Sequence, residues 1–86
     1  MPRISEFYGI MVYMYFSDHQ PPHFHAIYGQ HEIEMEIRTG HVLRGFLPRR
    51  ALGLVSEWRE RYVDELLKNW ELARDHRPLR QVPPLD

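Results

Sequence analysis

Residues 23–38 read HFHAIYGQHEIEMEIR, two runs joined at Gly29-Gln30. In the second run Ile33, Met35 and Ile37 alternate with Glu32, Glu34, Glu36 and Arg38. A period of two is the mark of a strand with one buried and one solvated face. Gly29-Gln30 suits a two-residue hairpin, with glycine in the first position of a type II′ turn. That turn pairs Tyr28 with His31, Ile27 with Glu32, Ala26 with Ile33, His25 with Glu34, Phe24 with Met35 and His23 with Glu36. Directly opposed side chains share a face. Phe24, Ala26, Tyr28, Ile33, Met35 and Ile37 then form an apolar face. His23, His25, Glu34 and Glu36 share the other, with Ile27 and Glu32 beside them. A slip of one residue would put glutamates against Phe24, so the apolar pattern argues for this register.

Upstream, Asp18–Ala26 reads DHQPPHFHA and holds three of the six histidines, His19, His23 and His25. Pro21-Pro22 fixes two φ angles and donates no hydrogen bond, so the chain reaches His23 stiff and extended. Gly9–Phe16 reads as the first strand, apolar in both of its alternating sets, which predicts a central strand or one at an interface. His23–Gly29 and His31–Arg38 are the second and third. Thr39-Gly40 turns the chain into a fourth, His41–Leu47. Pro48 then opens a helix, since a first-turn N–H has no partner to lose. Ala51, Leu54, Val55, Trp58, Tyr62, Leu66, Trp70 and Ala73 recur at helical spacing. Asp64-Glu65 looks like a second helix start, so two helices, or one kinked helix, meet near Tyr62 to Asp64. Trp58 and Trp70 read as core anchors. The proline-rich tail is not helical, and Leu79–Val82 lies as a short edge strand or across the helices. The expected fold is α+β: a four-stranded, mainly antiparallel sheet (ββββ), a C-terminal helical segment and a Pro-rich tail, in a single domain over residues 1–86.

The chain has 86 residues and no cysteine, which excludes disulfides and thiolate metal sites. Its N-terminus shows no signal pattern, and the longest uncharged run, Phe7–Ser17, is too short and tyrosine-rich to span a bilayer. A soluble cytoplasmic chain without a membrane partner is expected. The net charge of −1 gives no general attraction to nucleic acid. Arg38, Arg44, Arg49 and Arg50 nonetheless cluster with His41 in a stretch free of acidic residues. They read as a solvated rim, with nucleic-acid contact as the alternative. No phosphate-binding loop, dinucleotide fingerprint or activated nucleophile occurs.

Two histidines two apart on a strand stand about 6.6–6.8 Å apart on one face. His23 and His25 can therefore share an ion, with an oxygen from Glu34 or Glu36 and a third nitrogen from His19. Such ligands suit zinc, nickel or manganese as a cofactor. The same residues also suit two other roles: structural cross-strand charge pairs, or general acid–base catalysis by an imidazole beside a carboxylate.

The run MPRISEFYGIMVYMYFSDHQPPHFHAIYG, with LPRRALGLVSEW, ELLKNWELA and the terminal VPPL, resembles a small bacterial family called domain of unknown function 4160. The core Y-F-x-D-H-x-P-P-H-F-H-A is Tyr15–Ala26 here. The family's recurrent residues match Asp18, His19, Pro21, Pro22, His23 and His25. The resemblance implies a small protein partner encoded by a neighbouring gene, in an arrangement like a toxin–antitoxin pair. Three functions follow as expectations. The first is an interaction module of such a pair. The second is a nuclease-like toxin using His19, His23 or His25 with the arginine cluster. The third is a divalent-metal-binding module. Self-association as a homodimer is also expected, because Tyr13, Tyr15, Leu43 and Leu47 would otherwise form an exposed apolar patch.

Overall fold

A computed structural model describes residues 2–86. The strands are β1 (Arg3–Phe7), β2 (Ile10–Tyr13), β3 (His23–Tyr28), β4 (His31–Glu36) and β5 (Val42–Gly45), followed by α1 (Arg49–Arg61) and α2 (Val63–Arg74). The strands form one antiparallel meander in the order β1-β2-β3-β4-β5. The α+β class and the strand-then-helix order hold.

The sheet has five strands where the sequence reading has four. The added strand is β1, joined to β2 through Tyr8 and Gly9 with φ of 50° and 80°. A turn with two positive φ angles favours Asn-Gly or Asp-Gly. Tyr8-Gly9 carries only half of that signal. The expected first strand also ends early. After Tyr13 the chain leaves the sheet, and residues 14–22 form a long loop.

The β3–β4 register is the one the apolar alternation requires, from His23↔Glu36 to Tyr28↔His31, with Gly29 at φ +61° in the turn. The β4–β5 connection is looser. Gly40 N–H donates to Glu36 O, Glu36 N–H donates to His41 O, and the register shifts between Glu34 and Met35. Gly45 sits at φ +86°, where any side chain would collide with the Glu32 carbonyl.

The helices cover one face of the sheet. Ile10, Val12, Phe24, Ala26, Ile33 and Met35 from the strands, with Ile37 just after β4, share a core with Val55, Trp58, Leu66 and Trp70 from the helices. The Trp58 ring lies 5.3 Å from Phe7 and 5.5 Å from Phe24, and its Nε1–H donates to Pro83 O. Both tryptophans are core anchors. The helices meet at Tyr62, which ends α1 and precedes α2. The tail is not a strand. It runs beside β1, where Val82 N–H donates to Ile4 O and buried Asn69 exchanges two hydrogen bonds with the Arg80 backbone. Leu47 belongs to the core, whereas Val42, Leu43 and Phe46 are exposed around β5.

Helix α2 ends in a Schellman motif: His76 N–H donates to Ala73 O, and Arg77 N–H donates to Leu72 O. The residue after the cap is left-handed in this motif and is usually glycine. Here it is His76, with φ 55°, at a cost of about 1 kcal/mol relative to glycine. Among the described residues, no helix is long and apolar enough to cross a membrane.

Candidate metal centre

His23 and His25 point away from Phe24 and Ala26, as strand alternation requires. They do not stand in solvent. The 14–22 loop folds back over them and α2 closes one side, leaving His23 1% and His25 7% exposed. The Tyr15 ring lies 4.2 Å from that of His25, His19 stacks at 4.7 Å on His23, and Trp70 approaches His23 at 5.3 Å.

Two groups of donors converge there: Asp18, His23 and His25, and His19, His23 and Glu34. In each, the donor atoms lie within 4.8 Å of one another. Asp18 Oδ2 is 3.0 Å from His23 Nε2 and 3.1 Å from His25 Nε2. Glu34 Oε1 is 3.6 Å from His23 Nε2 and 3.7 Å from His19 Nε2. His23 Nε2 faces both carboxylates, so the two groups adjoin at this residue. Donors on a single zinc-sized ion stand about 3.0–3.4 Å apart, given metal–ligand distances near 2.1 Å.

The outer nitrogens show how the rings are set. His23 Nδ1 lies 2.8 Å from Pro21 O. A carbonyl only accepts, so Nδ1 carries the proton. A neutral His23 therefore aims the Nε2 lone pair at the Asp18 carboxylate, itself an acceptor. His19 repeats the pattern, with Nδ1 3.2 Å from Gln20 O. His25 Nδ1 lies 3.1 Å from Glu32 Oε2, and its Nε2 faces Asp18. Each ring is thus oriented by an acceptor at Nδ1, while the three Nε2 atoms turn towards Asp18 and those of His19 and His23 also towards Glu34. Metal-bound histidines are held by outer acceptors of this kind. Glu34 Oε1 is buried without a hydrogen-bond partner, while Oε2 faces Arg44 Nε at 4.0 Å. A buried carboxylate oxygen without a partner is costly. A cation at this point would resolve both the opposed acceptors and the orphaned oxygen.

Burial alone would raise the Asp18 pKa. A hydrogen bond from His25, one from the His19 backbone N–H, and the fields of His23 and His19 outweigh it and hold the carboxyl below its ordinary value. Tyr15 is pushed up, first by burial and then by the field of Glu32, with smaller contributions that include Asp18 and Glu34.

Of the residues expected at the site, His19, His23, His25 and Glu34 are brought together. Glu36 stands opposite His23 in the register, yet its carboxylate is in neither donor group. Cross-strand neighbours here interact along the diagonal, so His25 reaches Glu32 and His23 approaches Glu34. Asp18, absent from the donors proposed from spacing, is central. Its signal was its place in the D-H-x-P-P-H-F-H run, but only the path of the loop reveals that it doubles back. The arginines are dispersed. Arg44 stands beside Glu34, Arg38 lies in the turn after β4, Arg49 and Arg50 open α1, and Arg50 lines a small cleft with Tyr8, Tyr28 and Leu54.

A family model, Domain of unknown function (DUF4160), matches residues 9–71, well over half of the chain, and the chain belongs to that family. No curated protein and no solved structure matches the chain. The matched span includes Asp18, His19, His23, His25 and Glu34; it excludes β1, His76 and the tail.

Proposed function

We propose that the chain is a divalent-metal-binding protein whose centre is formed by Asp18, His19, His23, His25 and Glu34. The observation that carries this reading is the set of the three rings, with Nδ1 engaged outward and Nε2 turned inward. Three nitrogens and two carboxylates form a borderline-to-hard set suited to zinc, nickel or manganese. A bound ion would offset the acidic charge around Asp18 and Glu34 and tie the 14–22 loop to β3 and β4. It would also supply a Lewis acid there.

Titration of each metal against thermal melting tests the reading. At about 100 times Kd, a native-state ligand stabilises by about 2.7 kcal/mol, so the melting temperature of the wild type should rise by several degrees. A His23→Ala/His25→Ala double variant should show no rise. Equal responses from the two proteins would remove the proposal. Binding should also weaken as pH falls, because an imidazole that takes up a proton stops being a ligand.

A second reading, as an interaction module, is favoured by β5. This edge strand is exposed along its length, and Val42, Leu43 and Phe46 stand out from it or directly after it, Phe46 with 64% of its surface exposed. A second copy of the chain is the occupant this reading commits to. Sedimentation equilibrium at micromolar concentration should give a dimer mass, reduced to the monomer by Phe46→Ser. A monomer mass for the wild type would end this reading.

A further inference from the structure

Ser17 and His76 are 59 positions apart, and both adopt left-handed backbone angles, each with φ 55°. Neither is glycine, and left-handed conformations persist in such residues only where the surroundings impose them. At His76 the end of α2 imposes this conformation, and the two residues are in direct contact. Ser17 Oγ and His76 Nε2 are 2.6 Å apart, and the Phe16 ring stacks on the His76 imidazole at 5.9 Å and 19°. His76 occupies the position of the α2 terminus where glycine would be less strained. Ser17 directly precedes Asp18, the carboxylate that faces both His23 and His25.

We propose that His76 is a positioning residue for the donor cluster. Its clasp on Phe16 and Ser17 anchors the 14–22 loop to the end of α2, and so fixes Asp18 and His19 against the sheet. The same helix touches the centre a second time, where Trp70 packs on His23. Helix α2 therefore sets both sides of the site: the ring of His23 through Trp70, and the approach of Asp18 through His76. Met14, buried in the core, and Pro22, which accepts from Ile37 N–H, anchor the two ends of the loop, and the clasp holds its middle beside Asp18. The inference rests on the metal-centre reading for its effect on affinity, but not for its effect on Asp18.

His76→Gly separates the positioning role from a helix-end role, because glycine is the residue that the left-handed position favours. Three quantities are read for the wild type, His76→Gly and Ser17→Ala: the melting temperature of chelator-treated protein, zinc affinity by competition with a chromophoric chelator, and the imidazole nitrogen resonances of His23 and His25. His76→Gly should melt no lower than the wild type. It should bind zinc about 10-fold more weakly, the lower end of the loss seen when an outer support of a metal site is removed. It should also shift the His23 and His25 resonances in metal-free protein, as Asp18 withdraws. Ser17→Ala should do the same to affinity and resonances, and combining the two changes should add little. Unmoved resonances and wild-type affinity in His76→Gly would overturn the inference. If the wild type itself binds no zinc, the metal reading fails, and the metal-free resonances alone decide the role of His76.

Discussion

The two faces of the β3–β4 hairpin use the same backbone and alternate residues, yet they are held together in different ways. On the helix side Phe24, Ala26, Ile33 and Met35 are buried against Trp58 and its neighbours. Contacts there are non-directional, and each side chain needs only to fill space. On the other side His23, His25 and Glu34 are almost as buried, but beside ring packing they depend on directional polar contacts, and one carboxylate oxygen has no partner. The first face closes without help. The second gathers carboxylates and imidazole nitrogens at close range, so stability is assigned to the first and the proposed ligand binding to the second.

That division is most severely tested by Trp58→Ala. Trp58 is fully buried, and losing it should cost about 3–5 kcal/mol, read from the midpoint of urea unfolding in metal-free protein. A loss below about 1 kcal/mol would mean that the helix face is not the stabilising one.

A smaller effect is expected from a matched pair of changes on the opposite face. Glu34→Gln should weaken zinc binding by about 10-fold or more, because it replaces an anionic donor of the centre. Glu36→Gln, one strand pleat away on the same side, should leave affinity unchanged. Equal effects from both would show that acidic charge near the histidines matters and donor geometry does not.

The smallest effect concerns Asp18 without metal. Its carboxyl is held below its ordinary value in the folded protein, so the native state favours the carboxylate. The resulting stability is fully present above the unfolded pKa of about 3.9 and is lost as pH falls through the lower folded value. Asp18 is partly exposed, so its contribution should stay within about 1 kcal/mol. Chelator-treated wild type should exceed Asp18→Asn in stability at neutral pH, and the gap should close in acid. A gap that widened on acidification would contradict the sign.

Much of this arrangement was legible in the sequence where a period enforced it. The hairpin register followed from Ile33, Met35 and Ile37, because a slip exchanges core and solvent faces. The helix pair followed from apolar spacing and from the acidic start at Asp64. What was not legible depends on chain path. β1 carries little sequence signal because Tyr8-Gly9 is an uncommon turn pair, and the end of β2 is hidden because Met14, Tyr15 and Phe16 are as apolar as the strand before them. Asp18 was missed as a donor for a related reason. Spacing along a strand predicts which side chains share a face, but it says nothing of a loop that returns across that face. Glu36 misleads for the opposite reason: the register pairs it directly with His23, whereas the diagonal neighbours interact.

The central claim is that one cation is held by the inward nitrogens of His23 and His25 together with Asp18. The most direct test is an anomalous difference map at the zinc edge, from crystals grown with zinc at neutral pH. We expect a single strong peak about 2.0–2.2 Å from His23 Nε2, His25 Nε2 and an Asp18 oxygen, with His19 or Glu34 completing the shell. A map with no peak between these side chains, or with zinc only on surface residues such as His31 and His41, would contradict the account.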